Sequence, residues 1–233
     1  MKLPAKCLLF DYGGTLDTPG EHWSTVIARA WAQEGIELPR EAFRHAYVEA
    51  ERALAADGAV GTDDTFGEMM EKKIAIENTA LGSIADADTC RRVAQRCYEY
   101  ARSNLMQVRP TLESLASKVP LGIVSNFYGN LRAVLADMGV AHLFSAITDS
   151  GEAGVRKPDP RIFLEALRRV DPSLTPAETL VVGDSIDKDI LPAHSAGFLT
   201  AHLPGIPWNP EAPQPPLPAD TAVISSIADL LHI

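Results

Sequence analysis

Residues 7–16, with the sequence CLLFDYGGTL, constrain the fold of this chain more than any other stretch. The four apolar residues before Asp11 predict a short strand that is buried on both faces, as in a parallel sheet. Gly13 and Gly14 then allow the backbone to turn sharply. Because open α/β sheets bind ligands beyond the carboxyl ends of their strands, the position of Asp11 indicates a functional carboxylate.

The rest of the sequence consists of a helical block followed by alternating helices and strands. Within the block, the helical periodicity and the helix-ending residues predict four helices, at 21–34, 39–56, 65–81 and 86–104. After Pro110, further helices are predicted at 111–118, 131–138, 160–170 and 189–196. The predicted strands between them are 121–124, 144–148, 179–182 and 198–202. This alternation is typical of βαβ units in a parallel sheet.

The predicted fold is therefore α/β, with a Rossmann-like three-layer core, a parallel sheet and an inserted α-helical cap. Residues 1–16 and 108–233 form the predicted core domain, and residues 17–107 form the predicted cap domain. The proline-rich segment 203–218 is expected to be a stiff loop, because the residues after it still have to pack on the core.

Composition narrows the classes of function. A net charge of −10 over 233 residues argues against a nucleic-acid surface and against binding to anionic membranes. The three cysteines form no C-x-x-C pair, which suggests reduced thiols in a cytoplasmic protein. Neither the first residues nor any later segment is long and apolar enough for a signal peptide or a membrane span.

Polar residues stand at the ends of three predicted strands. Asp11 ends the first, Ser125-Asn126 follows the second, and Asp184 follows the strand at 179–182. Lys157 lies in a further polar segment that leads into a helix. In a parallel sheet these strand ends share one edge, so the side chains can converge on one point. Carboxylates and a backbone carbonyl suit Mg²⁺, and a lysine with free loop amides suits a phosphate.

Four motifs in order carry a resemblance to a known family. They are residues 10–16 (FDYGGTL), Ser125-Asn126, residues 157–159 (KPD) and residues 182–190 (VGDSIDKDI). Together they resemble the motifs of the haloacid dehalogenase superfamily, and the helical block after the first motif resembles its subfamily with an α-helical cap. The resemblance implies a Mg²⁺-dependent phosphatase for a small phosphorylated metabolite, acting as a monomer or homodimer.

The resemblance also implies roles for individual residues. Asp11 would be the nucleophile that forms an aspartyl-phosphate, and Lys157 and Ser125 would complete the catalytic set by neutralising and holding the phosphoryl group. The implied substrate contacts are Ser125, Asn126 and Lys157. The free loop amide of Gly14 and the position of His22 at the cap entry make these two residues further candidate contacts, with a solvated His22 as the open alternative. The implied metal ligands are Asp11, the Gly13 carbonyl and Asp184, and the metal set also includes Asp189, either behind these ligands or binding through water.

Gly13 departs from the family pattern. Most phosphatases of this family have a second aspartate there, which protonates the leaving oxygen and later activates water. Glycine cannot transfer a proton, and general acid–base catalysis contributes about 10²–10⁴-fold. The loss is therefore expected to weaken such an enzyme without abolishing activity. Asp17, Glu21 and His22 follow closely enough in sequence to be alternative proton sources, as is water.

Two other functions stay open at this point. Haloacid and phosphonate hydrolases of the family also lack the second aspartate. The dehalogenases lack a metal motif like Gly183-Asp184, which counts against them. Phosphonate hydrolases use a cap lysine as a Schiff base, and this cap contains Lys72 and Lys73. The other function that stays open is that of a non-catalytic member of the family, which binds metal or phosphate.

Overall fold

Six parallel strands form one sheet, in the order β3-β2-β1-β4-β5-β6, in the computed structural model of the chain. The structure describes residues 5–56, 58–206 and 213–232. The strands are β1 (Cys7–Phe10), β2 (Leu121–Ser125), β3 (Ala146–Asp149), β4 (Thr179–Gly183), β5 (Leu199–His202) and β6 (Ala222–Val223). The fold class predicted from the sequence is confirmed.

Alternate residues of the central strand face two separate hydrophobic layers. Leu8 and Phe10 belong to the layer that includes the helical block, whereas Cys7 and Leu9 pack with the helices on the opposite face. All four residues of β1 are buried. A strand covered on both faces explains why this segment is an uninterrupted apolar run.

Between β1 and β2 the described residues form four helices and no strand. These are α1 (Trp23–Gln33), α2 (Arg40–Leu54), α3 (Phe66–Ala80) and α4 (Ala87–Ala116). Local sequence sets two of their starts. Thr65 and Glu68 form a capping box at the start of α3, and the Asp86 side chain accepts a hydrogen bond from the Thr89 N–H at the start of α4.

The predicted break between helices at 86–104 and 111–118 is wrong. Helix α4 runs without interruption through Pro110. Proline removes one backbone donor and strains a helix interior. However, Leu105 and Leu112 stand seven residues apart on one helical face and are both fully buried. Burying this continuous apolar stripe outweighs the local cost. The predicted division at residues 107 and 108 stays a prediction, and α4 crosses it.

The remaining α-helices come after β2 in the chain. They are α5 (Leu131–Asp137), α6 (Ser150–Ala153), α7 (Arg161–Val170) and α8 (Leu191–Ser195). Two local predictions need correction. Helix α6 was not predicted, and the helix predicted at 189–196 is a wide helical turn at Ile186–Ile190 that continues into α8. Residues 207–212 of the predicted proline-rich loop lie outside the described residues. Among the described helices, none combines the length and apolar character needed to cross a membrane.

Glu77 is a carboxyl buried inside the helical block. It is fully buried, and neither oxygen makes a hydrogen bond of normal geometry with a described residue. Burial raises the pKa of Glu77 to about 7; Lys73 and Trp31 oppose this increase and Glu51 adds to it. Burial also raises the pKa of the Cys97 thiol on α4, and the charge of Glu77 adds to this increase. Ionised Glu77 is therefore unfavourable in the folded state.

We expect Glu77→Gln to stabilise the protein at pH 8 and to have little effect near pH 4.5. The folded-state pKa is about 7 against an ordinary value of 4.5, so wild-type stability falls as the pH rises between these values. The gain above pH 7 should reach roughly 2–3 kcal/mol. Urea unfolding at both pH values measures it, with Glu71→Gln on the exposed side of the same helix as control. An equal stability difference at both pH values would contradict this assignment.

Candidate active site

Three neighbouring strands end at the same edge of the sheet, each beside a polar side chain. Asp11 follows β1, Ser125 is the last residue of β2, and Asp184 follows β4. Strand β1 pairs in parallel with both β2 and β4, so the three carboxyl ends are adjacent. The convergence predicted from the sequence is present in the structure.

Lys157 lies between two buried carboxylates. Its Nζ donates to Oδ1 of Asp11 at 2.6 Å and to Oδ1 of Asp189 at 2.5 Å. The Ser125 hydroxyl donates to the same Asp11 oxygen at 2.8 Å. All four residues are buried, so these charge-assisted hydrogen bonds form in a region of low dielectric constant and fix the orientation of Asp11.

Three carboxylates approach one another around this lysine. Asp11, Asp184 and Asp189 each place an oxygen within 4.8 Å of the others. Asp184 accepts a hydrogen bond of 3.2 Å from the Thr15 hydroxyl, and Asp189 accepts one of 3.1 Å from the Ser185 N–H. One lysine cannot balance three carboxylates, so the site carries excess negative charge.

The pKa values of the site report this imbalance. Burial, together with the charges of Asp189 and Asp11, raises the pKa of Asp184 well above its usual range. Burial also raises the pKa of Asp189 to about 6, although Lys157 opposes the increase. For Lys157, burial alone would lower the pKa, but the two neighbouring carboxylates outweigh burial and raise it.

The three-carboxylate cluster fits a divalent cation. All its donors are oxygen atoms, and hard oxygen ligands are those that Mg²⁺, Mn²⁺ and Ca²⁺ prefer. No backbone hydrogen bond among the described residues ends on the Gly13 carbonyl, which is consistent with the predicted ligand role. Both Asp189 oxygens already accept hydrogen bonds, from Lys157 and Ser185, which favours an indirect contact with the ion.

Gly14 is required for the close approach of the loop to Asp184. Its φ is +93°, and a Cβ atom there would lie 2.6 Å from Asp184 Oδ2. A side chain would therefore both strain the backbone and displace a cluster carboxylate. The Gly14 N–H, predicted to be free for a phosphate, instead donates to Asp17 Oδ1 at 2.8 Å. Substrate binding through this amide is thus not supported by the structure.

Gly13 stands in open space. A Cβ atom built on it meets no neighbouring heavy atom within 4 Å, and its φ lies outside the left-handed region. No steric or backbone requirement therefore makes glycine necessary at this position. The loop has room for a Cβ atom at this position.

The three predicted proton sources near the cap entry are placed differently from one another. Asp17 is buried, and its oxygens accept hydrogen bonds from the Gly14 N–H and from the Trp23 indole at 2.9 Å. Burial raises the pKa of Asp17 to about 7, and these donors oppose the increase. Asp17 therefore ties the loop to α1, and neither oxygen is free to deliver a proton.

Glu21 and His22 do not replace the missing acid either. Glu21 accepts hydrogen bonds from Arg29 and from the Tyr100 hydroxyl at 2.6 Å, which bind it to helices α1 and α4. Burial, followed by the charge of Lys188, lowers the pKa of His22 to about 4. Its imidazole is consequently neutral at pH 7 and has no acidic proton to donate. Substrate contact by His22 stays a prediction.

Asn126 positions Lys157. Its side-chain nitrogen donates to the Lys157 carbonyl at 3.0 Å, and its side-chain oxygen accepts from the Lys157 N–H at 2.8 Å. This reciprocal pair fixes the backbone from which the lysine reaches Asp11. The side-chain amide is therefore used within the protein, and the predicted phosphate contact of Asn126 would have to come from its backbone N–H.

Sequence reasoning missed a contact between the helical block and the loop that follows β2. Tyr128 donates to Glu51 of α2 at 2.8 Å, and Glu51 also pairs with Lys73 of α3. Tyr128 stands three residues after Ser125, which is a local signal that could have singled it out. Glu51 gives no such signal, because one charge on an amphipathic helix looks like ordinary surface.

Substitution by alanine should weaken cation binding at one loop glycine and leave it nearly unchanged at the other. We expect Gly14→Ala to weaken the binding of Mg²⁺ or Mn²⁺ strongly, because its Cβ would displace Asp184. The matched control, Gly13→Ala, should bind nearly as well as wild type, because its Cβ meets open space. Isothermal titration calorimetry measures the affinities, and thermal unfolding checks the fold. Equal affinities in the two variants would refute the close approach of loop and carboxylate.

Comparisons with known proteins agree with this geometry. The chain matches a family model described as haloacid dehalogenase-like hydrolase over residues 5–197. Haloacid dehalogenase-like hydrolase domain-containing protein 3 of Danio rerio is 30% identical over 214 residues, covering 85% of this chain and 84% of that protein.

A shorter match and a solved structure add to this. Glyceraldehyde 3-phosphate phosphatase of Methanopyrus kandleri is 44% identical over 69 residues, which is 30% of this chain and 29% of that protein. The magnesium-bound structure of the HAD-hydrolase YfnB of Bacillus subtilis shares the fold with a TM-score of 0.58 at 20% identity, covering 98% and 97% of the two chains. The family match over residues 5–197 and the relative aligned over 85% of this chain show that the chain belongs to the haloacid dehalogenase-like hydrolases.

Proposed function

We propose that this hydrolase is a Mg²⁺-dependent phosphatase that acts on a small phosphorylated metabolite through an aspartyl-phosphate on Asp11. The observation that carries the proposal is the Asp11 carboxylate, held by Lys157 and Ser125 beside two further carboxylates. A similar stretch in a glyceraldehyde 3-phosphate phosphatase supports phosphate chemistry, and a magnesium-bound structure of the same fold supports the choice of metal.

The chemistry assigned to Asp11 is in-line displacement at phosphorus. Both hydrogen bonds from Ser125 and Lys157 go to Oδ1, so one carboxylate oxygen stays available for bond formation. A carboxylate oxygen bonds to phosphorus as the bond between phosphorus and the leaving oxygen breaks. The leaving oxygen keeps the electron pair of the broken bond and takes a proton from solvent. Water then attacks the phosphorus, releases phosphate and regenerates the carboxylate.

The surrounding residues supply charge and placement. Lys157 neutralises negative charge on Asp11 and on the transferred phosphoryl group. Asp11, Asp184 and the Gly13 carbonyl would hold Mg²⁺, with Asp189 in support. When bound, the ion offsets the charge of the phosphoryl oxygens. Such positioning is the main source of catalysis in phosphoryl transfer.

The absence of an acid at Gly13 points to substrates with good leaving groups. Asp17 and Glu21 are fully engaged, and His22 is neutral at pH 7. Aryl, acyl and anomeric phosphates release an oxygen that needs little protonation. Alkyl phosphates release a basic alkoxide and gain most from a general acid.

The geometry disfavours the two alternative hydrolases. For phosphonate hydrolysis, the Lys72 ammonium is paired with Asp64, and Lys73 is buried, paired with Glu51 and placed 4.2 Å above the Tyr47 ring. Neither amine is free for a Schiff base. For haloacid hydrolysis, a metal-type carboxylate cluster has no evident use. A non-catalytic role would not need the buried lysine against Asp11.

We expect Asp11→Asn to abolish phosphatase turnover while leaving the fold intact. The amide is almost isosteric with the carboxylate but is a poor nucleophile and a weaker metal ligand. The rate of release of phosphate from an aryl phosphate, with and without Mg²⁺, measures the effect. Asp171→Asn is a matched control, because Asp171 lies at the end of α7 and binds Ser173. Retention of more than a few per cent of wild-type activity would disprove covalent catalysis by Asp11.

Gly13→Asp should raise turnover of alkyl phosphates more than that of aryl phosphates. The loop has room for the side chain, and the carboxyl restores a proton donor that matters most for poor leaving groups. The measured quantity is the alkyl-to-aryl ratio of kcat/KM. Gly13→Asn is the control, because it has the same shape without an acid. An unchanged ratio at unchanged Mg²⁺ affinity would mean that water already supplies the proton.

A further inference from the structure

A polar contact joins the helical block to the loop that follows β2. The Tyr128 hydroxyl donates to Glu51 Oε2 at 2.8 Å. The other oxygen of Glu51 pairs with Lys73 of α3, and the Lys73 ammonium lies 4.2 Å above the Tyr47 ring of α2. Lys73 is 4% exposed, so two helices of the block hold Glu51 in one orientation. We name the Glu51–Tyr128 hydrogen bond the clasp.

The loop that carries Tyr128 also carries the residues that orient the nucleophile. At its start, Ser125 donates to Asp11. The next residue, Asn126, makes the reciprocal pair with the Lys157 backbone. Tyr128 therefore stands three positions after Ser125 and two positions after Asn126, which sets the position of Lys157. Because so few backbone bonds connect Tyr128 with Ser125 and Asn126, a displacement of Tyr128 can be transmitted to both residues.

On its other side the loop is fixed to the core. Asp149 Oδ2 accepts from the N–H groups of Gly129 at 2.8 Å and Leu131 at 3.1 Å. The Phe127 N–H donates to the Ser150 hydroxyl at 3.1 Å. These hydrogen bonds attach the loop to β3 and α6, and Tyr128 is the nearer to Ser125 of two loop residues that make a polar contact with the helical block.

Phe127 and Tyr128 also pack against the main hydrophobic cluster, but apolar packing is non-directional. A cleft of about 350 Å³ lies next to the clasp, lined by residues that include Leu54, Val60, Tyr128 and Arg156. A second polar contact, from the Asn130 side chain to the Asp64 carbonyl at 2.9 Å, lies further along the loop. Hydrogen bonds therefore set the register of the block on this loop. A hydrogen bond to a charged carboxylate is the stronger kind.

We propose that the clasp sets the position of the helical block on the β2 loop and thereby holds Ser125 and Lys157 against Asp11. Glu51 and Tyr128 are then positioning residues for the hydrolysis, and this inference rests on the proposed function. They act through the loop and do not touch the reacting atoms. Their removal should lower kcat and leave KM nearly unchanged.

A double-mutant cycle tests the clasp. The variants are Tyr128→Phe, Glu51→Gln and the pair, assayed for kcat and KM on an aryl phosphate with Mg²⁺. Each single change should lower kcat by up to about tenfold, since Tyr128→Phe removes the donor and Glu51→Gln replaces the charged acceptor with a weaker neutral one. The double variant should be no slower than Tyr128→Phe, because without the hydroxyl the change at Glu51 has no contact left to weaken. Thermal unfolding accompanies each assay.

Tyr100→Phe is the matched control. It removes a tyrosine hydroxyl that donates to a glutamate, Glu21, at 2.6 Å, so the chemical change is the same. That contact does not involve the β2 loop, and kcat should stay at the wild-type value. If Glu51→Gln does not fold with Lys73 left unpaired, the comparison of Tyr128→Phe with Tyr100→Phe decides alone.

The outcomes separate this inference from the proposed function. Full kcat in Tyr128→Phe, or additive losses in the cycle, would overturn the clasp while leaving the phosphatase intact. If wild type hydrolyses no phosphate ester, the affinity for orthovanadate with Mg²⁺ replaces kcat as the readout, and Tyr128→Phe should weaken it about tenfold. A wild-type protein that neither hydrolyses nor binds vanadate would overturn both.

Discussion

The site depends on one ammonium group, that of Lys157, placed between two buried carboxylates. Without it, Asp11, Asp184 and Asp189 would repel one another at close range in a region that water reaches poorly. The lysine relieves part of this repulsion, and the remaining charge favours a divalent cation. Charge balance therefore links the fold to the proposed chemistry, since the carboxylates that repel one another are also those proposed to bind metal and attack phosphorus.

Two neighbouring glycines in the first loop serve opposite purposes. Gly14 is needed because Asp184 occupies the space where its side chain would be, so the loop and β4 approach closely. Gly13 has free space and an unstrained backbone. The structure thus separates a glycine that the fold requires from one that it does not require, a distinction that sequence cannot make because both are the same residue.

Local signals allowed the fold and most of the site to be predicted from the sequence. Each strand end carries its polar residue within one short motif, so Asp11, Ser125 and Asp184 could be placed together without a structure. The errors came from non-local effects. Pro110 was read as a break because the burial of Leu105 and Leu112 on one stripe was not weighed. Asp17 was one of several alternative proton sources, because its hydrogen bond with the Gly14 N–H depends on how the loop folds back.

Helix α4 has a mechanical consequence. It begins among the cap helices and ends at Ala116, five residues before β2, so one continuous rod connects the block to the sheet. Any swing of the block must therefore bend this rod or rotate about it, whereas the other connection, after β1, is a short loop tied down by Asp17. Pro110 removes one rung of the helical ladder and is its weakest point in bending. The proline is thus the position at which α4 resists bending least.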